Sequence, residues 1–259
     1  MSINLLNTYR NFEVNSSIVE WDMKRAGLNL IRENKLLPQN IIDELISLPK
    51  HECDIKIGKL QIRDKEFSKR LEQAFTDYME MFLSANHVDR DLDVIAIKKD
   101  ACFTINKTIE TSTFGEHISF VPKNSYHAFI YIKPFEFYFQ KDGEIDIKGL
   151  VGDKKVRNEL ISLHKEGILN LLSYVVELAE TTGMDKEKLN EFLHSFVSMY
   201  KNKELDFSYY REFTVESKFR YQFLGAETMA DMINEKMLAK VNIEYNYKKI
   251  ILPLVNILC

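Results

Sequence analysis

The sequence predicts an α+β protein: a mixed or antiparallel sheet packed with helices, followed by a mainly helical part. Apolar residues alternate along DVIAIKKDACFTI, residues 93–105, as expected of a strand–turn–strand hairpin. From about residue 155 to residue 204 they recur instead at helical spacing. The pattern changes near Gly149, so we predict one domain over residues 1–149 and a helical domain over residues 150–259.

The composition is that of an ordinary globular protein, with 259 residues of which 45% are apolar. The formal net charge of −4 excludes a global basic field, although the 35 lysines and arginines leave room for a local basic cleft. Three cysteines without paired spacing predict a reducing compartment and no disulfide framework. No signal-peptide pattern and no run of transmembrane length is present, so we expect a cytoplasmic protein (in the host cytoplasm, if viral) without a membrane partner.

The elements of the first domain follow from local pattern and from capping residues. Residues 17–22 are typical of a short strand, and the apolar spacing over residues 23–35 predicts a helix. Pro38 begins a second helix, and Asp64 can cap a third, longer one. The apolar stripe of this long helix consists of Phe67, Leu71, Phe75, Tyr78, Met79 and Phe82.

Further strands and then helices are predicted after the hairpin. A turn at Asp142–Gly143 precedes the last strand, and a turn near Thr182–Gly183 divides the helical stretch. An irregular link holds Tyr209, and a last pair of helices runs from about Glu227 to the C-terminus. β-branched and aromatic residues place the strands at residues 118–121, 128–132, 135–139 and 144–148.

Two carboxylates stand where strands end. Asp22 closes the first strand, with Glu20 on the same face two residues earlier, and Asp100 occupies the hairpin tip. Each has a structural alternative, because Asp22 can simply cap the following helix and aspartate is a common turn residue. As a pair they can hold two Mg²⁺ (or Mn²⁺) ions, since hard cations prefer oxygen ligands. Such ions activate a hydroxyl and stabilise the leaving phosphate in phosphoryl transfer. This interpretation requires that both carboxylates face one cleft.

Two stretches resemble palm motifs of family B DNA polymerases. VIAIKKDACFTI is similar to the strand–turn–strand motif V-I-Y-G-D-T-D-S-I-F-V, and DMKRAGLNLI, from Asp22, resembles D-F-x-S-L-Y-P-S-I-I. The resemblance implies that Asp22 and Asp100 are catalytic metal ligands. Lys98 replaces a further acid of the family, and Gly27 replaces a tyrosine that excludes ribonucleotides. Lys98 and Lys99, beside Asp100, would then either neutralise nucleotide phosphates or replace a metal ion altogether.

Two shorter stretches resemble other parts of the same family. In KHECDIKIG, Lys50 precedes Gly58 at the spacing of the fingers helix, which implies that Lys50 contacts the triphosphate. Ile55 and Ile57 favour a strand there instead. In FEFYFQKDGEIDIKGL, the residues that match the primer-gripping region are Tyr138, Lys148 and Gly149. The resemblance spans about residues 15–259 and implies a palm-like domain with reduced fingers over residues 1–149 and a thumb-like domain over residues 150–259.

A final stretch interleaves bases and aromatics around Arg211 and Arg220. Such a surface can stack bases and bind phosphates, and buried aromatics beside partly exposed arginines explain the pattern equally well.

We therefore predict a template-dependent nucleotidyltransferase that binds primer–template and nucleoside triphosphates. The alternative is a catalytically silent, nucleic-acid-binding accessory subunit that works with other subunits of a viral replication or transcription complex.

Overall fold

The computed structural model describes residues 4–152, 154–213 and 244–259 and confirms the α+β fold. The chain divides into two compact units. The first unit comprises residues 4–9 and 16–126, and the second comprises residues 10–15 and the described part of 127–259. No helix within the described ranges is long and apolar enough to cross a lipid bilayer.

The first unit contains a six-stranded antiparallel sheet and four helices in the order β1, β3, α1–α4, β4–β7. Its strands lie in the order β1-β4-β5-β3-β7-β6, which places β3 beside the hairpin β4–β5. Phe82 stacks on Phe120 in its core, with ring centroids 4.3 Å apart. The bounds are β1 Leu5–Leu6, β3 Ile18–Met23, α1 Ala26–Glu33, α2 Gln39–Ser47, α3 Lys50–Arg63, α4 Lys65–Ala85, β4 Val94–Lys98, β5 Ala101–Ile105, β6 Thr113–Phe114 and β7 Ile118–Tyr126.

Local signals account for most of these elements. The side chain of Asp64 accepts a hydrogen bond from the backbone N–H of Phe67 at 2.9 Å, as the predicted cap of α4 requires. The strand preference at Ile55 and Ile57 is wrong, because KHECDIKIG lies within helix α3. Cys53 and Ile57, one helical turn apart, are both buried, whereas Ile55 is exposed. Packing of one helix face therefore overrides the weak β-propensity of isoleucine.

The second unit contains a four-stranded antiparallel sheet with strand order β10-β9-β8-β2. Its described helical part includes a 3₁₀-helix at Phe207–Tyr210 and a π-helix at Tyr247–Ile251. The helices predicted from Glu227 onward fall mostly outside the described residues, but residues 247–258 are helical. The bounds are β2 Phe12–Glu13, β8 Ala128–Ile132, β9 Phe135–Phe139, β10 Ile145–Lys148, α5 Lys154–His164, α6 Ile168–Thr182, α7 Lys186–Asn202 and α8 Leu252–Leu258.

The boundary between the units lies after Tyr126, before the position predicted at Gly149. Strands β8–β10 share one apolar core with helices α6 and α7, in which Ile130, Phe137, Leu172 and Leu193 are all fully buried. The change of pattern near Gly149 therefore marks a change from strand to helix inside one core.

Gly149 is required by the local backbone, and we expect Gly149→Ala to lower the free energy of unfolding by about 3 kcal/mol. Its φ is +92°, and an added Cβ would lie 2.4 Å from the carbonyl oxygen of Pro134. Gly143 is the matched control, because its φ is +86° but an added Cβ meets nothing within 4 Å. Gly143→Ala should cost about 1 kcal/mol, from backbone strain alone. Urea denaturation of both variants checks this, and equal losses would contradict it.

Candidate functional site

The pairing of β3 with the hairpin brings Asp22 and Asp100 together. Asp22 lies opposite Ala101 in the register of β3 and β5, and Asp100 is the second residue of the tight turn before β5. The backbone N–H of Met23 donates to the carbonyl oxygen of Asp100 at 2.8 Å. The two acids, distant in sequence, therefore occupy one end of the sheet.

Asp22 and Asp100 both line a cavity of about 250 Å³ in the first unit. Lys50, Gly27 and Lys99, which the sequence analysis assigned to nucleotide binding, line the same cavity. Asp22 and Asp100 thus lie around one cavity, and their role as metal ligands stays a prediction. The remaining lining residues are Met23, Arg25, Ala26, Asp54, Ile57, Gln61, Leu71 and Phe75.

Two helices begin at this cavity. Arg25 precedes the first residue of α1, and Lys50 is the first residue of α3. Neither helix has a side-chain hydrogen bond to its N-terminal turn. Helix N-termini present unpaired N–H groups and a partial positive charge, which favour anions. The cavity thus combines two uncapped helix N-termini with the cationic side chains of Arg25, Lys50 and Lys99.

The electrostatics of Asp100 reflect its surroundings. Burial raises the pKa of the Asp100 carboxyl, and the negative charge of Asp22 raises this pKa further. Its own backbone and the charges of Lys99 and Lys123 oppose the increase. A group whose charged form is disfavoured by a neighbouring carboxylate gains from a bound cation, because the cation relieves the repulsion.

Lys123 is a site residue that the sequence analysis missed. Its Nζ lies 3.3 Å from Glu20 Oε1 and 3.6 Å from Asp22 Oδ1. Burial acts to lower the pKa of Lys123, but the charges of Glu20 and Asp22 outweigh it and raise this pKa overall. The predicted strand ended at Val121, whereas β7 continues to Tyr126 and carries Lys123 alongside the middle of β3, between the partners of Glu20 and Trp21.

Arg25 was missed for another reason. The sequence predicts a helix over residues 23–35, which includes Arg25, but the φ of +44° at Arg25 places it in the left-handed region before α1. This backbone turn directs the chain out of β3, and the side chain lines the cavity. Its Nη2 atom is buried without a hydrogen-bond partner in the described part of the chain. The basic residue three positions after Asp22 was the available signal.

Lys98 and Gly27 have different surroundings. Lys98 is the last residue of β4 and does not line the cavity. The structure therefore does not support the predicted contact of Lys98 with a phosphate in that cavity. Lys99 does line it, with Nζ 4.5 Å from the centre of the Phe75 ring. A Cβ at Gly27 would lie 3.4 Å from Ile57 Cδ1, which is an ordinary contact. Glycine is therefore not sterically required at this position.

The residues predicted to contact a primer lie in the second unit. Tyr138 is fully buried, and its hydroxyl donates to Glu136 Oε2 at 2.9 Å, so it cannot contact nucleic acid in this conformation. Lys148 is partly exposed and pairs with Asp146 at 2.7 Å. Gly149 serves the backbone, as described above. Of the three, Lys148 alone retains its predicted role as a candidate.

The surroundings of Arg211 favour the structural alternative for the aromatic and basic stretch. Its guanidinium lies over the ring of Phe207, with the carbon 5.0 Å from the ring centre. Tyr210 is buried, and its hydroxyl donates to the carbonyl oxygen of Tyr200 at 3.2 Å. Tyr209 accepts a hydrogen bond from Asn170 at 3.1 Å. Arg220 lies outside the described residues.

The donor set fits a divalent cation that is completed by a ligand. No group of three or more histidine, cysteine, aspartate or glutamate side chains poised for a metal ion occurs among residues 4–152, 154–213 and 244–259. Asp22 and Asp100 nevertheless line one cavity, and Mg²⁺ commonly takes one or two carboxylates together with substrate phosphates. The uncapped helix N-termini are where such phosphates would lie.

The fold and the cavity together define an α+β protein with a cavity lined by three aspartates and three basic residues. The chain belongs to the family of the bacteriophage PBS1 gene 130 protein, whose family model matches residues 2–259. Membership in this family indicates a phage-encoded protein. A comparison with curated proteins found no match.

Proposed function

We propose that the protein is a template-dependent nucleotidyltransferase, similar to DNA polymerases, that extends a primer 3′-hydroxyl in the cytoplasm of the infected host. One observation carries the proposal: a single cavity holds Asp22 and Asp100 together with two uncapped helix N-termini and three cationic side chains. Carboxylates alone would suit a cation and cations alone would suit an anion. A metal-bound polyphosphate requires both.

Five of the residues that line the cavity have a role in this proposal. Asp22 and Asp100 would hold Mg²⁺ or Mn²⁺, which when bound would activate the attacking hydroxyl and neutralise the leaving phosphate. Lys50 with the first turn of α3, Arg25 and Lys99 would bind the triphosphate. Positive groups fixed before the reaction stabilise charge that develops on the phosphates.

The size of the cavity supports a role in binding the phosphates. Its volume of about 250 Å³ is below the ~300–1,000 Å³ of pockets that enclose whole small-molecule ligands. The base and sugar would therefore lie beyond its mouth, where a template strand can pair with the base. Lys148 and other basic side chains would contact the primer backbone by charge pairing.

Primer extension tests the proposal directly. The full chain is incubated with a primed template, all nucleoside triphosphates and Mg²⁺ or Mn²⁺, beside Asp22→Asn and Asp77→Asn. Asp77 is exposed on α4 and does not line the cavity, so it controls for loss of one surface carboxylate. We expect extension by the wild-type chain and Asp77→Asn and none by Asp22→Asn. Equal extension by Asp22→Asn would show that the activity arises elsewhere.

A second candidate function is that of a catalytically silent subunit that binds nucleic acid in a phage replication or transcription complex. The ion pair between Lys123 and Asp22 favours it, because a lysine beside a metal-ligating carboxylate competes with the metal. Binding of labelled primed template without extension in either metal would support this candidate. Its affinity should fall with increasing salt if phosphate contacts dominate.

A further inference from the structure

Lys123 reaches the carboxylates through an irregularity in the sheet. In the register of β3 and β7, Glu20 lies opposite Asn124, whereas the next residue, Trp21, lies opposite Pro122. Lys123 is the extra residue of this β-bulge, and no residue of β3 lies opposite it in the register. Bulges turn side chains away from the direction that regular alternation would give them, and they are frequent beside active sites.

The bulge brings two residues of β7 to one residue of β3. Asn124 lies opposite Glu20 in the register, and Lys123, the extra residue beside it, also reaches Glu20. With the bulge, its Nζ lies 3.3 Å from Glu20 Oε1 and 3.6 Å from Asp22 Oδ1. One extra residue in β7 thus places an ammonium group beside the carboxylates of β3.

Stabilisation of the fold accounts for the contact of Lys123 with the buried Glu20, but not for its contact with Asp22. The side chains of Lys123 and Asp22 are 50% and 29% exposed, and ion pairs with solvent access contribute little to stability. Glu20, only 4% exposed, already accepts hydrogen bonds from Asn124 Nδ2 at 2.6 Å and from the Tyr126 hydroxyl at 3.1 Å. Glu20 Oε1 also accepts from the Lys123 ammonium at 3.3 Å, and the same ammonium lies 3.6 Å from Asp22 Oδ1.

We propose that the Lys123 ammonium is a built-in cation of the carboxylate site and takes the place of a second divalent ion. The site then binds one divalent ion, between Asp22 and Asp100. The proposal rests on the proposed function of these two residues. Asp22 Oδ1 faces the ammonium, which leaves its other oxygen for a metal shared with Asp100. A second metal near Asp22 would be repelled by the lysine charge.

Titration of the full chain with Mn²⁺ alone, followed by electron paramagnetic resonance, tests the proposal without any activity readout. We expect one bound ion for the wild type. Lys123→Met should bind the first ion roughly tenfold more tightly and take up a second, because a positive charge close to the metal has been removed. Lys123→Arg keeps the charge and should retain the wild-type stoichiometry.

The matched control is Lys107→Met. Lys107 also pairs with a carboxylate, Asp93, at 2.9 Å, but neither residue lines the cavity. This variant should bind Mn²⁺ as the wild type does. Thermal unfolding of each variant confirms that it is folded before titration.

The outcomes separate this inference from the proposed function. Two ions bound to the wild type, or identical Mn²⁺ binding by wild type and Lys123→Met, would overturn the role of Lys123 and leave the polymerase proposal intact. Mn²⁺ binding that persists unchanged in Asp22→Asn would instead overturn the assignment of the metal site. Binding of one ion that depends on Asp22, with a gain in Lys123→Met, supports both.

Discussion

Asp100→Asn is expected to reduce primer extension by at least about 10³-fold and at the same time to stabilise the first unit. The loss of activity follows because the amide carries no charge to hold a metal ion. The gain in stability follows because burial and Asp22 raise the pKa of Asp100, so its ionised form is disfavoured in the folded state. If Asp100 had a purely structural role, its replacement would lower the stability of the protein.

The sign of the stability effect can be checked against pH. A carboxyl group with a raised folded-state pKa destabilises the fold above that pKa and has no effect below its ordinary value of 3.8, where it is protonated in both states. The advantage of Asp100→Asn should therefore be largest at neutral pH and should shrink as the pH falls towards 3.8. Fluorescence of Trp21, the single tryptophan of the chain, reports unfolding of this unit.

Asp77→Asn provides the control for both measurements, because Asp77 is exposed and lies outside the cavity. It should leave extension unchanged and should not reproduce the pH-dependent gain in stability. Lower stability of Asp100→Asn at neutral pH would contradict the electrostatic explanation. Full extension by this variant would contradict its role as a metal ligand.

His164 should make the second unit sensitive to acid. The side chain is fully buried in α5, with its ring edge-on to Phe213 at 5.0 Å between centroids. Burial, and next the charge of Arg211, lower the pKa of His164 to about 3, although the backbone of Glu212 acts to raise it. The unfolded chain binds a proton near pH 6.5, so stability is lost as the pH falls below that value. Between pH 7 and pH 4 the loss from this group is about 3 kcal/mol.

His164→Met removes this contribution, and His194→Met is the control. His194 is exposed on α7 in the same unit, so its replacement removes an imidazole from the surface and not from the core. Urea denaturation followed by circular dichroism gives the free energy of unfolding at each pH. The difference between the wild type and His164→Met should change by about 3 kcal/mol over the acid range, in favour of the variant at low pH. Parallel pH curves for the two proteins would disprove the explanation.

Local patterns predicted most of the secondary structure. The strand before Asp22, the cap at Asp64, the hairpin around Asp100 and the helices after Gly149 all occur as expected. These features depend on short-range chemistry, such as capping hydrogen bonds and the periodicity of apolar residues, which a sequence states directly. The helix that contains Ile55 did not follow from local propensity, because the burial of one helix face outweighed the preference of isoleucine for strands.

The site shows the same division between local and long-range information. Asp22, Asp100, Lys50, Gly27 and Lys99 were selected from motifs, and the structure places all of them around one cavity. Their catalytic and binding roles stay predictions. The buried environments of Tyr138 and Tyr210 were invisible in the sequence, because an aromatic residue in a strand or link has the same letter whether it faces solvent or core.

The sequence by itself determined the α+β class, the order of the elements and the two carboxylates at strand ends. The tertiary structure alone decided where along the chain the boundary between the two compact units lies. Strands β8–β10 share a core with helices that come later in the sequence, so they belong to the second unit. It also decided that Lys123 lies beside Asp22, because the pairing of β3 with β7, including its bulge, brings these two distant residues together. Registers and bulges arise from long-range pairing, and no local pattern in either strand specifies them.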